Sequence, residues 1–347
     1  MPKNTRRART ASERRIPSTP ASDAVSVAKH TDDFSSLDKL PTTYQDLHSY
    51  IEQNETLDLL GLRRETYKRI EQITGVPLIC YITRTSNIPQ NVPAHINDSD
   101  LPGFDDLVQT TEGDSVDVLL VSNGGSAEAA ERIVRLIRDR FTNVRFIIPG
   151  NAYSAATLIC LSGNQIIMDI TSTLGPIDPQ LSGIPTRAIL RAFEEVKEKL
   201  KVEGPEALTA YMPLIAKYDL HILEMCKSAE ELSAELAKMW LSQYMWRCEP
   251  DDPRVSEAVK FFASYDVHKS HARSIDRVSA IKLGLNVIKV DATPGLADLI
   301  RSLRNQYILF FDKTPFYKLY ENARGINWGH QVQQAIITKP AAVLASD

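Results

Sequence analysis

The stretch VDVLLVSNGGSAEAAERIVRLIRDRFTNVRFIIPGNAYSAATLICLSGNQIIM, residues 116–168, decides the fold. Three short apolar runs in it have the length and composition of buried strands, at 116–121, 144–149 and 165–168. Between these runs, an amphipathic stretch and an apolar stretch predict helices, at 126–141 and 151–161. Strands that alternate with helices over short connections predict right-handed parallel crossovers and a sheet whose two faces are both covered.

Outward from this stretch, the pattern stays that of an α/β protein. Helical periodicity from Thr43 ends at Gly75, an apolar run at 76–83 predicts a strand, and residues 84–115 read as a long polar loop. The long helices that follow the core are predicted at 186–201, 205–226, 229–247 and 253–264. The remaining predicted elements are a helix, a strand and a helix, at 276–283, 285–290 and 294–312. The predicted fold is therefore a layered α/β core of mainly parallel strands, with covering helices and a long helical extension over 186–264.

The composition is that of an ordinary globular chain. Of the 347 residues, 43% are hydrophobic and 24% are charged, and the formal net charge is −4. This balance argues against a specific nucleic-acid-binding protein, which would carry a basic surplus, and no apolar run is long enough to span a bilayer. The four cysteines form no CxxC pair, which suits a reducing compartment, so we expect a cytoplasmic protein.

Positive charge is concentrated at the N-terminus. Residues 1–15 carry a net charge of +5, so the other 332 residues carry −9. The residues that follow, up to about 40, are rich in Ser, Thr, Ala and Pro and include few apolar side chains that a fold could bury. This composition predicts a disordered basic tail over 1–40. Such a tail is also compatible with a peripheral contact with an anionic membrane surface. We expect one domain over 41–330, which includes the helical extension, and a C-terminal tail over 331–347.

Two turns carry the candidate chemistry, because each follows a predicted strand and opens a predicted helix. In an open parallel sheet, ligand sites form outside the carboxyl ends of the strands. The first turn, Ser122-Asn-Gly-Gly-Ser126, has paired glycines that let a ligand approach backbone N–H groups. The second, Pro149-Gly-Asn-Ala-Tyr-Ser-Ala-Ala-Thr157, places Ser154 among small residues, and the N–H of Ala155 could help to bind an oxyanion.

Taken singly, each turn also has a purely structural explanation. The glycines fit a tight strand–helix connection that needs positive φ, and Ser154 fits a helix cap or a packed hydroxyl. The sequence around Ser154 is not the GxSxG nucleophile elbow of α/β-hydrolases. No glycine-rich phosphate-binding loop of either standard form is present, so nucleotide binding has no support and no cofactor is expected.

Together, the two turns and a third segment resemble a known family. The three features are the pair Gly124-Gly125, the segment Ala152-Tyr-Ser-Ala-Ala-Thr-Leu-Ile159 and the segment Leu174-Gly-Pro-Ile-Asp-Pro-Gln180. In this order and at this spacing they resemble the serine dehydrogenase proteinases. That family is a branch of the group of Clp proteases and signal-peptide peptidase A, which share the crotonase-like fold. The resemblance covers about residues 43–330.

The resemblance implies a crotonase- or Clp-protease-like fold and the activity of a serine-type endopeptidase. Residue by residue, it implies that Ser154 is the nucleophile. It also implies an oxyanion hole formed by Gly124, Gly125 and the N–H of Ala155. The implied partners are a protein or peptide substrate and further copies of the chain, in a homo-oligomer that is a ring or is built from trimers. The helical extension would then supply the interface between the copies.

The resemblance leaves the general base open. Clp peptidases use a Ser-His-Asp triad, but Asp178 stands near the place where their pattern has the histidine, so a direct copy fails. Signal-peptide-peptidase-like enzymes use a lysine on a later helix. Lys197, Lys199, Lys201 and Lys217 lie in or near the range of this lysine. Lys217 is our first candidate because its setting is the most apolar, and burial lowers a lysine's pKa. His271 is the rival base, and Asp178 could orient a base or cap a turn. His268 and His271 with Asp266 form too weak a ligand set to predict a metal.

We therefore expect a serine peptidase that hydrolyses peptide bonds through an acyl-enzyme on Ser154. Two alternatives stay open. In a crotonase-like acyl-CoA enzyme, the same oxyanion hole would stabilise a thioester enolate without a nucleophile. In a catalytically inactive oligomeric scaffold, the fold would be kept for binding alone.

Overall fold

A computed structural model describes residues 40–53, 58–216 and 220–332. The two predicted tails lie outside these ranges except at their inner ends, where Leu40 is buried and Gln331 belongs to a strand. The candidate base Lys217 also lies outside the described residues. The described residues belong to one compact unit.

A seven-stranded, mainly parallel sheet lies at the centre of the described part of the chain. The strands are β1 (Leu78–Thr83), β2 (Ser115–Val121), β3 (Asn143–Ile148), β4 (Asn151–Ala152), β5 (Gln165–Met168), β6 (Thr173–Leu174), β7 (Gln180–Leu181), β8 (Ile184–Pro185), β9 (Ile275–Asp276), β10 (Val287–Lys289), β11 (Phe316–Asn322) and β12 (Asn327–Gln331). The order in the central sheet is β10-β5-β3-β2-β1-β11-β12. The first five strands pair in parallel, and β11 pairs antiparallel with both β1 and β12. Small sheets are formed by β4-β6-β9 and by β7-β8.

Helices connect the parallel strands and cover the sheet. They are α1 (Tyr44–Gln53), α2 (Leu59–Thr74), α3 (Leu101–Gln109), α4 (Ala127–Arg140), α5 (Ala155–Leu161), α6 (Thr186–Glu203), α7 (Leu208–Ile215), α8 (Leu220–Trp240), α9 (Pro253–Ala263), α10 (Tyr265–His268), α11 (Arg277–Lys282) and α12 (Leu296–Lys313). The strand–helix alternation predicted for residues 116–168 is confirmed by β2, α4, β3, α5 and β5.

Apolar side chains pack on both faces of the sheet. Along β2, Val118 and Leu120 pack on the face that carries α4, α5 and α8, whereas Leu119 packs on the face that carries α2 and α12. All three side chains are fully buried. Because strands covered on both faces need no polar side, they appear in the sequence as continuous apolar runs.

Two segments differ from the sequence-based expectation. Residues 84–115, read as a loop, contain α3, whose start carries the turn-forming residues Pro102 and Gly103. Gly103 is required by packing, because a Cβ there would lie 2.2 Å from the ring of Tyr320. The strands β11 and β12 were not predicted either, because β11 buries the charged residues Lys318 and Glu321 and so lacks an apolar pattern.

The helical extension is present, but its internal boundaries differ. The break expected between 226 and 229 does not occur, since α8 runs through it with Lys227 and Ser228 exposed. The helix instead changes to a π-helical turn at Leu241–Trp246. Within the extension, α6 packs against α8, and α8 packs against α5 and α9, so the extension reaches the helix that follows Ser154.

All four cysteines are free thiols, and three of them are buried. Within residues 40–53, 58–216 and 220–332, no helix combines the length and the apolarity that a bilayer crossing requires.

Candidate active site

Ser154 occupies a strained position at the start of α5. Its backbone has φ +52° and ψ −120°. For a non-glycine residue, such a conformation is unfavourable by of order 1–3 kcal/mol, and contacts with the surrounding structure must offset this strain. Ser154 stands at the N-cap position, yet its side chain makes no capping hydrogen bond. Helix capping therefore does not explain this serine, and its hydroxyl has no assigned hydrogen bond within the described residues.

The glycine turn lies directly against Ser154. Gly124 has φ +101°, and a Cβ on it would lie 2.6 Å from both the Cβ of Ser154 and the carbonyl oxygen of Tyr153. Gly125 has φ +155°, and a Cβ there would lie 2.2 Å from the carbonyl oxygen of Ile96. Both positions therefore require glycine, because another segment of backbone lies too close for a side chain. Gly124 lies against the turn that carries Ser154, and Gly125 lies against Ile96 in the segment before α3.

The backbone N–H groups of the two turns differ in whether they are already engaged. The N–H of Gly124 donates to the Oγ of Ser122 at 3.2 Å. The N–H groups of Gly125 and Ala155 have no hydrogen-bond acceptor in the part of the chain that the structure describes. Gly124, Gly125, Ser154 and Ala155 all line one cavity. Two free donors are therefore available there, one from each turn.

A histidine–aspartate pair reaches the same cavity. His271, which lines it, places Nδ1 2.9 Å from Oδ1 of Asp178. Asp178 is 2% exposed, and its second oxygen has no partner among the described residues. Because a carboxylate accepts hydrogen bonds, a neutral His271 beside it would carry its proton on Nδ1, which leaves Nε2 as an acceptor.

Hydrogen bonds tie the serine turn to the segments that carry the pair. The hydroxyl of Tyr153 lies 2.9 Å from Oγ of Ser274, three residues after His271. Oγ1 of Thr157 bonds to the carbonyl of Ala152 at 2.7 Å and accepts from the N–H of Gly175, three residues before Asp178. These contacts hold three sequence segments in one arrangement around the serine.

The cavity has a volume of about 460 Å³, and half of the residues that line it have apolar side chains. Some of its lining was not predicted from the sequence. Ala94 and His95 come from the presumed loop, whose neighbour Ile96 pairs with Gly125 as an isolated parallel bridge. Leu232 and Ser233 come from α8 of the helical extension. Local patterns give no signal for these residues, because only tertiary packing brings them to the serine.

The candidate lysines of α6 lie away from the cavity that His271 lines. No lysine of the described residues lines the cavity. Lys197, Lys199 and Lys201 are exposed on α6, and Lys201 pairs with Glu198 at 2.6 Å. Lys217 lies outside the described ranges, so its candidacy stays a prediction.

His268 and Asp266 do not join His271. Nε2 of His268 lies 2.6 Å from the carbonyl oxygen of Phe261, and burial lowers the pKa of its ring. Asp266 pairs with Arg191 at 2.9 Å. Over the described ranges, no three His, Cys, Asp or Glu side chains are grouped closely enough to hold a metal ion.

The chain is similar in sequence to a known family of serine proteinases. The sequence profile of the ClpP-like SDH-type serine proteinases matches residues 43–226, just over half of the chain, and this range includes Ser154 and Asp178 but not His271. Two uncharacterized proteins of Methanocaldococcus jannaschii are similar in sequence. MJ1495 is 30% identical over 37% of this chain and 45% of its own length, and MJ0137 is 38% identical over 23% and 28%. The chain thus matches less than half the length of these curated relatives.

Solved structures of proteases show weaker similarity. The 1510-N membrane-bound stomatin-specific protease, as a mutant with a substrate peptide, is 19% identical over 56% of this chain and 70% of its own, with a TM-score of 0.33. A mutant of ClpP1 from Listeria monocytogenes is 16% identical over 65% of this chain and 95% of its own, also with a TM-score of 0.33.

Proposed function

Since this chain belongs to the family of ClpP-like SDH-type serine proteinases, we propose that it cleaves peptide bonds through an acyl-enzyme formed on Ser154. The observation that carries the proposal is the content of one cavity. Ser154, the histidine of the His271–Asp178 pair, and the unengaged N–H groups of Gly125 and Ala155 all border it. Acyl transfer needs a nucleophile, a base with a carboxylate that orients it, and hydrogen-bond donors for the oxyanion.

In the proposed reaction, Nε2 of His271 accepts the proton of the Ser154 hydroxyl as Oγ attacks the scissile carbonyl carbon. Asp178 holds the ring in the required tautomer and stabilises its cationic form. The carbonyl oxygen becomes an oxyanion that accepts hydrogen bonds from Gly125 and Ala155. His271 then donates its proton to the leaving amine, and water hydrolyses the acyl-enzyme by the reverse proton transfers.

Gly124 has a steric role in this proposal. Its N–H is engaged by Ser122, so it is a poorer oxyanion donor than the N–H of Gly125. Its missing side chain is what allows Ser154 and Ala155 to approach the turn. The oxyanion hole is therefore assigned to Gly125 and Ala155, and Gly124 positions the serine against it.

We favour His271 over Lys217 as the base because the histidine lines the cavity and is oriented by a buried carboxylate. The chain order is then Ser154, Asp178, His271, which differs from the order serine, histidine, aspartate of the Clp pattern. The same catalytic geometry occurs with several chain orders on unrelated folds, so the order is no obstacle.

An extended peptide is the proposed substrate, cleaved within the chain. Ala94, His95, Pro179 and Gln180 also line the cavity, and they would give a substrate chain contacts beyond the scissile bond. We also propose that copies of the chain assemble through the helical extension, where apolar side chains are exposed.

Labelling with a fluorophosphonate tests the nucleophile directly. We expect the wild type to be labelled and Ser154→Ala not to be. The matched control is Ser233→Ala, which changes another serine that lines the same cavity and should leave the labelling rate unchanged. Equal labelling of wild type and folded Ser154→Ala would contradict the proposal, and stabilisation by acyl-CoA esters would then favour the crotonase-like alternative.

The same assay separates the two candidate bases. His271→Ala should lower the labelling rate by roughly 10²–10⁴-fold, the usual contribution of a general base. Lys217→Ala should leave the rate within about twofold of the wild type. The opposite result would return the assignment to the lysine.

A further inference from the structure

A small sheet joins the three segments that carry the proposed catalytic groups. Its strands are β4, β6 and β9, in that order. Ser154 lies two residues after β4, and Asp178 lies four residues after β6. His271 lies four residues before β9, which runs antiparallel to β6. The three groups therefore leave the same end of this sheet, and its geometry governs how they are placed relative to one another.

The side chain of Tyr153 spans the end of this sheet. The last paired row of the sheet consists of Ala152, Leu174 and Ile275. The next residues toward the candidate site are Tyr153, Gly175 and Ser274. The hydroxyl of Tyr153 accepts a hydrogen bond from Oγ1 of Thr173 at 3.1 Å, so its own proton is available for Oγ of Ser274, 2.9 Å away. One side chain thus links the segment of the nucleophile to the segment of the base.

Gly175 leaves the space that this side chain occupies. A Cβ on Gly175 would lie 2.8 Å from Cδ1 and 3.1 Å from Cγ of Tyr153. The φ angle of Gly175 is not in the positive region, so its backbone conformation does not require glycine. Its N–H donates to Oγ1 of Thr157 at 3.0 Å, which fixes this part of the chain against α5. The ring of Tyr153 is therefore the reason for glycine at this position.

The segment between His271 and β9 lies at the surface. Ala272, Arg273 and Ser274 are all exposed. Because an exposed segment has few packing contacts, its position depends strongly on individual hydrogen bonds. We propose that Tyr153 is a positioning residue, whose hydroxyl holds His271, through Ser274, where it can accept the proton of Ser154. This role rests on the proposed function, because it concerns the base of that reaction.

The rate at which a fluorophosphonate labels Ser154 tests the proposal. Tyr153→Phe keeps the ring over Gly175 and removes the hydroxyl. It should lower the labelling rate by roughly tenfold, because a small displacement of a catalytic group slows the reaction. In a His271→Ala background, the same substitution should change the rate by less than about twofold, since no base remains to be positioned. A purely structural role of the hydroxyl would lower the rate equally in both backgrounds.

Ser274→Ala removes the other end of the same hydrogen bond. Because Ser274 is exposed, this variant tests the contact even if Tyr153→Phe does not fold. It should also lower the labelling rate by roughly tenfold, and the double variant Tyr153→Phe/Ser274→Ala should stay within about twofold of either single variant. Tyr244→Phe is the matched control and should leave the rate unchanged. Tyr244 is likewise half-buried, but it lines a cavity at the amino ends of β2 and β3.

Two results would overturn the positioning role and leave the proposed function intact. One is an unchanged labelling rate in both Tyr153→Phe and Ser274→Ala, with the proteins shown to be folded by thermal unfolding. The other is an equal loss of rate with and without His271. No labelling of the wild type, or a wild-type rate in His271→Ala, would instead refute the proposed mechanism, and the positioning role with it.

Discussion

At the scale of single residues, the contact between Gly124 and Ser154 sets the geometry of the candidate site. Ser154 is held at positive φ, and the space beside its Cβ is available because Gly124 has no side chain. The strain is local, whereas the contacts that maintain it come from the glycine turn and from Thr157. Reactive serines are often held in strained turns of this kind, where the surrounding structure fixes the hydroxyl.

Gly124→Ala should therefore destabilise the protein and abolish labelling at Ser154. The new Cβ would meet backbone and Cβ atoms at 2.6 Å, and alanine is strained at φ +101°. Together, these effects should cost about 3 kcal/mol of unfolding free energy. Urea denaturation measures the stability and fluorophosphonate labelling measures the site.

Gly150→Ala is the matched control for this substitution. Gly150 lies in the loop before Ser154, its φ is not in the positive region, and a Cβ there meets nothing within 4 Å. The unfolding free energy of Gly150→Ala should change by less than about 1 kcal/mol, and Ser154 should still be labelled. If both variants behaved alike, the steric role of Gly124 would be wrong.

At the scale of elements, a buried ion pair joins β11 to the start of α3 and supports the glycine turn. Nζ of Lys318 lies 2.6 Å from Oδ1 of Asp100, and both side chains are fully buried. The other oxygen of Asp100 accepts from the N–H of Asn97 at 2.8 Å. The N–H of Ile96, next to Asn97, donates to the carbonyl of Gly124 at 2.8 Å. Burial lowers the pKa of Lys318, partly countered by the attraction of Asp100.

Lys318→Met should lower the unfolding free energy by about 3–5 kcal/mol, because it leaves the Asp100 carboxylate buried without its counter-charge. Lys201→Met makes the same chemical change in an exposed pair with Glu198 and should leave the unfolding free energy nearly unchanged, because exposed ion pairs contribute little to stability. Denaturant titration of both variants gives the comparison. A similar loss of unfolding free energy in the two variants would show that the buried pair contributes no more to stability than the exposed pair.

At the scale of the whole molecule, the helical extension exposes apolar side chains that a monomer would leave in water. Val202 on α6 is 87% exposed and Met212 on α7 is 51% exposed. A groove of about 480 Å³ between these helices is lined by Val196, Leu200 and Leu208. Exposed apolar surface of this kind favours contact with another protein surface, and a further copy of the chain is the partner we propose.

Sedimentation velocity should accordingly show a mass that is a multiple of the 38.8 kDa chain. The double variant Val202→Glu/Met212→Glu should shift the mass toward that of a single chain, because it places charges in the proposed interface. Ile170→Glu changes a side chain that is 76% exposed outside the extension and should leave the assembly intact. A monomeric wild type, or equal effects of both changes, would refute this interface.

Much of the core could be predicted from the sequence. The strands and helices of residues 116–168 follow from local apolar periodicity, and the two turns follow from glycines and small residues at strand–helix junctions. The helix α3 and the strands β11 and β12 could not be predicted in this way. Their residues include Pro102, Gly103, Lys318 and Glu321, whose placement makes sense only once Tyr320, Asp100 and Arg63 are packed beside them.

The sequence by itself thus determined the alternation of elements, the family resemblance and the candidate serine, because each depends on neighbours along the chain. The tertiary structure alone decided which groups surround that serine. His271 and Asp178 are 93 residues apart in sequence and pair only through folding. The choice of Gly125 over Gly124 as a free donor depends on one hydrogen bond to Ser122. The contacts around the serine follow from packing between distant segments, which no local pattern of residues encodes.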